Sequence, residues 1–445
     1  MAYGGGTWIS QNKVLPGAYT NFVSAASASA ELSDRGVATM PLSLDWGPED
    51  EVFTVTNEDF QKNSKKYFGY PYTADELKGL RDLFLNTQVL HAYRLNGGGS
   101  KASNDYATAL FSGTRGNAIK VAIHKNVDDE SMFDVTTYMD TAKVDQQTVS
   151  AASDLTDNDY VVFKKDAELI ELAALALSGG TNGEVTGDSY QSYLDKIESY
   201  TFNTMGVDTT DDVTKSLFVT FTKRVRDEVG KKFQLVLYKY PSADCMGAIS
   251  VKNKVTDRAV KGESGIYYPN ESSAVYWVAG AEAGCKVNAS CQNKKYDGEF
   301  TIDTDYTQAE LKAAIAAGEF VLHSVNGSVR VLDDINTMVT VTDTQGDIFK
   351  DNQTIRVIDQ LANDDAVIFA NKYLGVVPND SSGRISLWSD LVKIRQELLK
   401  IRAIENFDSK DVVVEQGDTK KSVLVTCNIT VVNAMSKLYM TTTIA

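Results

Sequence analysis

Residues 35–48 read RGVATMPLSLDWGP, and the segments TADELKGLRDLF at 73–84 and VLHAYRL at 89–95 follow them. The first segment contains an apolar run typical of a buried strand. The second opens with Thr73 and Glu76 at the spacing of a helix capping box, and its apolar residues recur along one helical face. The third segment predicts another strand. The three together predict a β-α-β unit, and therefore an α/β domain.

The next part of the chain changes character at GGGS, residues 97–100. The segments AIKVAIH, MFDVTTYM, KVDQQTVS and YVVFKK are short, rich in β-forming residues and separated by polar clusters. Nine acids and one lysine lie between Asn126 and Tyr160. The glycine-containing stretch LSGGTNG at 177–183 ends this region. We therefore predict an acidic, all-β domain inserted at residues 97–182.

Helical and strand patterns alternate again in the following region. Helices are predicted at 189–200, 211–229, 272–284 and 307–318, and strands at 233–239 and 248–255. Asn326-Gly327 joins two β-rich segments and predicts a hairpin. Strands that alternate with helices imply a sheet covered on both faces, so residues 183–338 are predicted to complete the α/β domain that residues 21–96 begin.

The last hundred residues predict an α+β domain at 339–433. A helix is expected around 353–361, continuing to Tyr373, and a second one at 386–404. Three strands are predicted from DVVVEQ, SVLVTCNITVV and SKLYMTTTI. The helix at 386–404 has an apolar stripe formed by Leu387, Leu391, Ile394, Leu398 and Ile401.

The two ends of the sequence have the pattern of extended arms. Residues 1–20 carry four glycines, one proline and no helical period. Residues 434–445 contain KLYMTTTI, in which larger apolar residues alternate with tyrosine and threonine as in a strand. Such end strands are often frayed tails, but they can also pair with the exposed sheet edge of another copy.

Charge and composition exclude several functions. The 445 residues contain 44 Lys and Arg against 60 Asp and Glu, a net charge of −16. A negative chain repels nucleic-acid phosphates and anionic lipids, so no nucleic-acid partner is expected. We find no secretory signal and no apolar stretch long enough to cross a bilayer, and we therefore expect no direct membrane insertion.

No set of catalytic or metal-binding residues emerges from the sequence. Cys245, Cys285, Cys291 and Cys427 are too few for a disulfide framework and lack a zinc-site spacing, so they are predicted to be reduced thiols. His91, His124 and His323 each lie in a predicted strand without a second ligand nearby. GESG around Ser264 lacks the spacing of a nucleophile elbow. We expect no cofactor, no metal and no enzymatic activity.

The helix at 386–404 is basic in an acidic protein. Its basic residues form two rows with a spacing of seven, Lys393 with Lys400 and Arg395 with Arg402. With Asp390 and Glu397 the helix has a net charge of +2. Two interpretations remain open at this point: a solvated face, or an electrostatic dock for an acidic partner.

Several motifs recur in a familiar order along the chain. They are PGAYTNF at 16–22, RGVATMPLSLDWGP at 35–48, LRDLFLN at 80–86, LSGGTNG at 177–183, WVAGAEAG at 277–284, VRVLDDINTM at 329–338 and the closing KLYMTTTI. Together they resemble the contractile tail sheath protein family of bacteriophages and phage-tail-like bacteriocins. The resemblance implies a subtilisin-like α/β core without catalytic residues, an inserted β-sandwich, a C-terminal α+β domain beside the tail tube, and extended terminal arms.

The same resemblance implies a function and partners. Sheath subunits of this family form hexameric rings stacked helically around a tail tube, and contraction drives the tube through a bacterial envelope. The implied partners are further copies of this chain, the tail tube protein, and baseplate and tail terminator proteins. The implied location is a virion or phage-tail-like particle assembled in the bacterial cytoplasm.

Site residues follow from the resemblance as well. Arm residues are expected to add strands to a neighbouring subunit, onto a sheet that includes residues 423–432. The arm residues are Thr7, Trp8 and Ile9 at the N-terminus and Leu438, Tyr439, Met440, Thr441 and Thr442 at the C-terminus. Tube contacts are expected from Lys393, Arg395, Lys400 and Arg402.

Two other classes of function remain as alternatives. A subtilisin-type hydrolase would need an Asp, a His and a Ser at strand and helix ends, and only the three histidines named above are available. A self-assembling surface protein would also be acidic, but it normally needs an export signal.

Overall fold

The computed structural model describes residues 32–258, 260–262, 265–267 and 269–444. The predicted N-terminal arm at 1–20, with Thr7, Trp8 and Ile9, lies outside the described residues, as does Ser264. The described chain divides into two compact units, which we call the large unit (33–363 together with 431–444) and the small unit (364–430).

Helices and strands cover most of the described chain. The helices are α1 (Asn57–Phe68), α2 (Lys78–Phe84), α3 (Gly187–Ile197), α4 (Asp212–Arg224), α5 (Ala274–Gly284), α6 (Gln308–Ala316), α7 (Asn352–Ile368) and α8 (Ser381–Lys400). The strands are β1 (Val37–Leu42), β2 (Val52–Thr56), β3 (Val89–Arg94), β4 (Ala107–Ala109), β5 (Ile119–Lys125), β6 (Phe133–Met139), β7 (Ala142–Val149), β8 (Val161–Phe163), β9 (Leu172–Ala176), β10 (Thr204–Gly206), β11 (Gln234–Tyr238), β12 (Ala248–Val251), β13 (Val260–Gly262), β14 (Gly265–Tyr267), β15 (Glu319–Phe320), β16 (Leu322–Val325), β17 (Ser328–Val331), β18 (Ile404–Glu405), β19 (Val412–Gln416), β20 (Val423–Cys427) and β21 (Thr430–Val431). Over the part of the chain that is described, no helix has the length and apolarity needed to cross a membrane.

The large unit is built on a seven-stranded sheet in the order β15-β12-β11-β10-β1-β3-β2. All neighbouring pairs are parallel except β2 with β3 at one edge. Side chains alternate between two apolar clusters: Val236 belongs to the cluster that contains the α2 and α5 residues, whereas Leu235 and Leu237 belong to the one that contains α3 and α4. The predicted α/β sheet with helices on both faces is therefore confirmed.

The first β-α-β unit is more elaborate than the sequence predicts. β1 and β3 pair in parallel as expected, but β2 and α1 lie between them in the chain and were not predicted. The prediction of a capping box at Thr73 and Glu76 is wrong. The Ala74 N–H donates instead to the Pro71 carbonyl in a turn, a 3-10 turn follows at Asp75–Leu77, and α2 begins only at Lys78.

The inserted β-rich region contains a four-stranded sheet, β7-β6-β5-β9, and a two-stranded sheet, β4-β8. The two segments that enter and leave it contact each other through their backbones. A Cβ on Gly99 would lie 1.9 Å from the Thr181 carbonyl oxygen, and one on Gly183 would lie 2.0 Å from the Gly97 carbonyl oxygen. Only glycine allows this approach, which explains why GGGS and LSGGTNG mark the two boundaries.

The small unit contains α8 and the antiparallel hairpin β19–β20. α8 begins at Ser381, earlier than predicted, because the Asp380 side chain accepts the Gly383 N–H at 2.8 Å and caps the helix. Its buried residues include Leu387, Leu391, Ile394 and Leu398. The predicted apolar stripe is thus confirmed, except that Ile401 lies after the end of the helix and is half-buried.

The last predicted strand is not formed within the described chain. Residues 432–444 contain no strand, although KLYMTTTI has the alternating pattern of one. A strand needs a partner edge for its backbone N–H and C=O groups, and this segment has none within the chain as described. The prediction that the chain closes with a strand is therefore wrong for the single molecule.

Candidate functional site

The C-terminal segment is attached to the large unit at one point. The buried Gln353 side chain donates to the Val432 carbonyl at 3.0 Å and accepts the Ala434 N–H at 2.9 Å. Next to it, the Asn433 side-chain amide donates to the Thr354 hydroxyl at 3.1 Å. These bonds fix the chain at the beginning of α7, and the segment that follows starts from a defined position.

Residues 435–444, which we call the C-terminal arm, expose large apolar side chains. Leu438 is 86 % exposed, Tyr439 87 %, Met440 78 % and Ile444 91 %. Scattered single apolar residues are normal on a protein surface, but a consecutive run with this exposure indicates a segment that another molecule covers. If extended, ten residues reach about 33 Å at 3.3 Å per residue.

The hairpin β19–β20 offers unpaired sheet edges. Val412 pairs with Cys427 and Gln416 with Val423, and among the described residues neither strand has a second neighbour. Leu424 is 55 % exposed. The expected accepting sheet at 423–432 is thus an ordered strand at 423–427. An uncovered hairpin of this kind is a template for a further strand.

A small cavity of about 100 Å³ lies beside β20 within the small unit. Leu374, Val377, Leu387 and Val423 contribute its apolar lining. Leu374 is itself well exposed. The hairpin therefore has an apolar recess next to its outer strand, of a size that suits one side chain of an added segment.

One of the four predicted basic contact residues has a different role. Arg395 is only 3 % exposed, and its guanidinium forms a two-pronged ion pair with Asp365 at 2.5 and 2.6 Å. The expectation that this side chain contacts another protein is therefore wrong in this structure. The seven-residue spacing pairs Arg395 with Arg402, but Arg402 lies beyond the end of α8, where φ is +61°.

The other three basic side chains remain on the surface. Lys393, Lys400 and Arg402 are exposed. Lys400 lies 3.5 Å from Glu397 on the same helix. The ion pair is solvent-exposed and weak, so Lys400 remains available to an acidic partner.

The histidines do not form a catalytic constellation. His91, His124 and His323 lie on three different strands, β3, β5 and β16. His91 Nδ1 lies 2.9 Å from the Thr54 hydroxyl, and burial lowers the pKa of its imidazole. Each histidine is placed as a sheet residue, in agreement with the prediction from the sequence.

A buried polar cluster at the start of α5 escaped the sequence analysis. The Asp208 carboxylate accepts hydrogen bonds from the Ser272 hydroxyl at 2.5 Å, the Ser273 hydroxyl at 3.1 Å and the Asn270 amide at 3.1 Å. Burial raises the pKa of Asp208. Its carboxylate thus holds the loop that leads into α5, a structural role that no local motif indicates.

A second buried cluster centres on Arg356 of α7. Its guanidinium is fully buried and donates to Glu282 at 2.5 Å, to Asp334 at 3.3 Å and to the Ala289 carbonyl at 2.7 Å. Asp334 also accepts the Cys291 N–H at 2.8 Å. Asp334, which belongs to the motif VRVLDDINTM, therefore lies in the interior with a cationic partner.

Four sequence-family profiles match the chain in succession. The Gp18 domain III N-terminal region of tail sheath proteins matches residues 35–95, and the phage tail sheath β-sandwich domain matches 97–182. The phage tail sheath central domain matches 183–337, and the phage tail sheath C-terminal domain matches 344–445. The matches follow the order of the chain and cover most of it.

Individual proteins are similar over nearly the whole length. A crystallised sheath tail protein of Desulfitobacterium hafniense is 38 % identical, with a TM-score of 0.76 over 90 % of this chain and 93 % of that one. The phage-like element PBSX protein XkdK of Bacillus subtilis strain 168 is 30 % identical over 98 % of both chains.

A more distant similarity concerns the fold alone. The sheath complex of an extracellular contractile injection system, PVC, solved in its contracted state, has a TM-score of 0.57 at 10 % identity over 98 % of both chains. The arrangement of the described elements is therefore shared with a protein that has almost no sequence identity to this one.

Proposed function

This chain belongs to the phage tail sheath protein family, and from that premise we propose that it polymerises as stacked hexameric rings around a tail tube and contracts to drive the tube through a bacterial envelope. It is a structural component of a phage tail or phage-tail-like particle, not an enzyme. The proposal extends this family assignment to the form and the movement of the assembly.

The C-terminal arm is the observation that carries the proposal. It follows Ala434, whose N–H is bound by Gln353, and exposes Leu438, Tyr439, Met440 and Ile444 to solvent. Its sequence alternates like a strand, yet it forms no strand in the described chain. A second copy of this chain offers the missing partner, because neither edge of β19–β20 is paired among the described residues and the hairpin exposes apolar side chains. We propose that the arm of one subunit adds a strand to this hairpin of the next.

Strand exchange suits a sheath that changes its dimensions. Main-chain hydrogen bonds between copies persist while the compact units rotate, since the arm absorbs the change in direction. In such an assembly, one patch of each subunit binds a different patch of the next subunit. Repetition of this head-to-tail contact builds an open helix. We propose that every subunit contributes a small decrease in free energy as the rings widen and compact, and that the coupled decreases move the tube.

We further propose that the exposed basic residues of α8 and its end face the tail tube. Lys393, Lys400 and Arg402 are the available cations, and Arg395 is excluded because it is bound to Asp365. Contacts to the tube must break during contraction, and exposed charge pairs break more readily than an apolar interface.

The remaining proposals concern fold detail and context. We propose that the seven-stranded sheet is a subtilisin-like core, and that the segments 1–20, 21–96, 97–182, 183–338, 339–433 and 434–445 are the functional divisions of the chain. Baseplate and tail terminator proteins are the proposed partners at the two ends of the polymer. Assembly is proposed to occur in the bacterial cytoplasm.

Proline substitution in the C-terminal arm tests the mode of assembly. Tyr439→Pro and Met440→Pro remove neighbouring N–H groups, which point to opposite edges of a strand, so at least one variant loses a bond to the accepting hairpin. One buried hydrogen bond contributes about 1 kcal/mol or more, so the critical concentration for polymerisation is expected to rise about tenfold. Pelleting and negative-stain microscopy measure the polymer, and the wild type is expected to form hollow tubes.

Threonine at the same positions is the matched control. Tyr439→Thr and Met440→Thr keep the N–H groups, so each should polymerise better than the proline variant at the same position, and any loss relative to wild type measures the contribution of the larger side chain. Polymer yields equal to wild type in both proline variants would contradict strand exchange by this arm. Wild-type chains that stay monomeric at high concentration would contradict the proposed sheath.

Charge reversal on α8 tests the proposed tube contact. The double variant Lys393→Glu, Lys400→Glu is expected to assemble less around the tube while the monomer unfolds at the same denaturant concentration as wild type, since both side chains are exposed. Raised salt should weaken wild-type assembly in the same direction.

Arg395→Glu is the internal comparison for that experiment. This variant places a second carboxylate against Asp365 inside the small unit, so the fold itself should lose stability. If the Lys393/Lys400 variant assembled on tubes as well as wild type at every salt concentration, these lysines would have no role in the contact.

A further inference from the structure

Two cysteines lie together at the end of α5. Cys285 caps the C-terminus of the helix, and Cys291 follows after a short loop closed by the bond from the Ala289 N–H to the Lys286 carbonyl. Both residues line the same cavity. Each also lies near a backbone acceptor of the same region, Cys285 Sγ at 3.5 Å from the Ala289 oxygen and Cys291 Sγ at 3.5 Å from the Ala281 oxygen.

Charged groups of both signs surround this pair. Arg35 donates to the Cys285 carbonyl at 2.9 Å, and Arg356 donates to the Ala289 carbonyl at 2.7 Å and to the carboxylates of Glu282 and Asp334. The neighbouring Cys291 side chain, with the positive charges of Arg356 and Arg35, lowers the pKa of Cys285 to about 7, against the opposing effects of burial and of Asp334. Cys291 is buried, and the pKa of its thiol is raised by its interaction with Cys285 and by burial.

The pair has access to solvent. Both cysteines line a cavity of about 340 Å³, and exposed residues at its rim include Gly284, Lys286 and Asn293. The cavity is large enough for a small thiol reagent to reach Cys285, which is half-buried. A half-exposed thiol that a small reagent can reach is open to reaction, whereas a fully enclosed one is inert.

A metal site is the other chemistry that these residues suggest. Among the described residues, ligand atoms of Glu282, Cys291 and Asp334 lie within 4.8 Å of one another. Arg356 already donates to both carboxylates, however, and supplies the positive charge that they need. A divalent cation would have to displace a fully buried guanidinium, so the geometry favours thiol chemistry over metal binding.

We propose that Cys285 and Cys291 form a reversible dithiol–disulfide pair, in which Cys285 is the thiolate that reacts first and Cys291 the thiol that resolves the intermediate. The oxidant is a small disulfide, such as oxidised glutathione. The pair is reduced in the cytosol and becomes oxidised where the surroundings are oxidising. It then joins the C-terminal end of α5 covalently to the loop that contacts Asp334.

The chemical steps balance without a further reactant. The Cys285 thiolate, whose proton has gone to solvent, attacks one sulfur of the small disulfide and displaces a thiolate, which takes up a proton. The Cys291 thiol then loses its proton, and its sulfur attacks Cys285 Sγ and releases the second small thiol. Two protein thiols are oxidised by two electrons, and one small disulfide is reduced to two thiols.

Oxidation of the full-length protein tests the pair. The reduced chain is treated with oxidised glutathione at pH 7.5 in EDTA, alkylated with iodoacetamide and analysed by intact mass and peptide mapping. We expect two of the four thiols to be lost and a peptide linking Cys285 to Cys291 to appear. Cys285 in the reduced protein should alkylate about tenfold faster than Cys245, which is also half-buried but whose thiol pKa is raised by burial.

Single variants separate the two roles. Cys285→Ser should abolish the link and the fast alkylation, and Cys291→Ser should accumulate a glutathione adduct on Cys285. Cys291→Ala is the substitute if the serine variant does not fold, since position 291 is buried. Cys245→Ser is the matched control and should behave as wild type, because burial raises the pKa of that thiol.

Two results would overturn the proposal. One is alkylation of Cys285 at the same rate as Cys245. The other is a wild-type protein in which the glutathione adduct persists on Cys285 while Cys291 stays a free thiol.

Discussion

A chain that ends at Ala434 is expected to fold normally and to remain monomeric at concentrations at which the full chain polymerises. The cut keeps the bonds of Val432, Asn433 and Ala434 to α7 and removes only the C-terminal arm. Because the large side chains of the arm are exposed, their removal should change the free energy of unfolding by no more than about 0.5 kcal/mol. The polymer, in contrast, loses an entire donated strand.

The measurement is sedimentation of truncated and full-length protein, with negative-stain microscopy of the pellet. A chain in which Gly-Ser repeats replace residues 435–445 at equal length serves as one control, and it should also fail to polymerise. Val127→Asp serves as the other. Val127 is an apolar residue 94 % exposed in the β-sandwich region, and its replacement should leave polymerisation intact. Tubes formed by the truncated chain would rule out the arm as the link between subunits.

Arg356→Met is expected to cause the largest loss of stability among single substitutions in the large unit. The guanidinium is fully buried, and its loss leaves Glu282 and Asp334 without a cation in the interior. Removal of one partner from a buried ion pair typically costs about 3–5 kcal/mol. Denaturant unfolding monitored by circular dichroism measures this loss, and poor soluble expression would be its first sign.

The charge state of the cluster explains why a second substitution should restore part of the stability that Arg356→Met removes. Burial and the neighbouring Asp334 raise the pKa of Glu282 well above its ordinary value. Burial disfavours the charged form of Asp334 too, but Arg356 and several hydrogen bonds outweigh it, and the pKa of Asp334 is lowered. Adding Glu282→Gln to Arg356→Met removes one unpaired carboxyl and should restore about 1–2 kcal/mol.

An exposed pair provides the control for this experiment. Lys62 and Glu58 form an ion pair on the surface of α1, so Lys62→Met should leave the unfolding midpoint where it is. An Arg356→Met protein as stable as the Lys62→Met protein would show that the buried cluster is not held by its charges.

Local patterns in the sequence identified most of the regular structure. The alternation of strands and helices predicted the two-sided sheet, and Asn326-Gly327 predicted the β16–β17 hairpin, in which both residues have positive φ as such a turn requires. Helices α3 to α6 lie within two residues of the predicted starts. These features depend on interactions between residues close in sequence, which a single sequence contains.

Contacts between distant residues decided the rest. The sequence spacing placed Arg395 in a row of basic residues on α8. In the structure its side chain is buried and forms an ion pair with Asp365, thirty residues earlier. Asp334 is buried beside Arg356 and Glu282, which come from other parts of the chain. Nothing in the local pattern indicates whether a charged side chain meets a partner from another part of the chain, because burial and pairing are set by packing.

The C-terminal segment separates the two kinds of information most clearly. The sequence by itself determined that KLYMTTTI has the alternation of a strand and that the chain has the motifs of a tail sheath protein. Only the tertiary structure decided that this segment pairs with no strand of the described residues and that, within the same part of the chain, both edges of β19–β20 are unpaired. The physical reason is that side-chain alternation is a property of the segment's own sequence. The backbone hydrogen bonds that complete a strand depend instead on which sheet edge lies next to the segment.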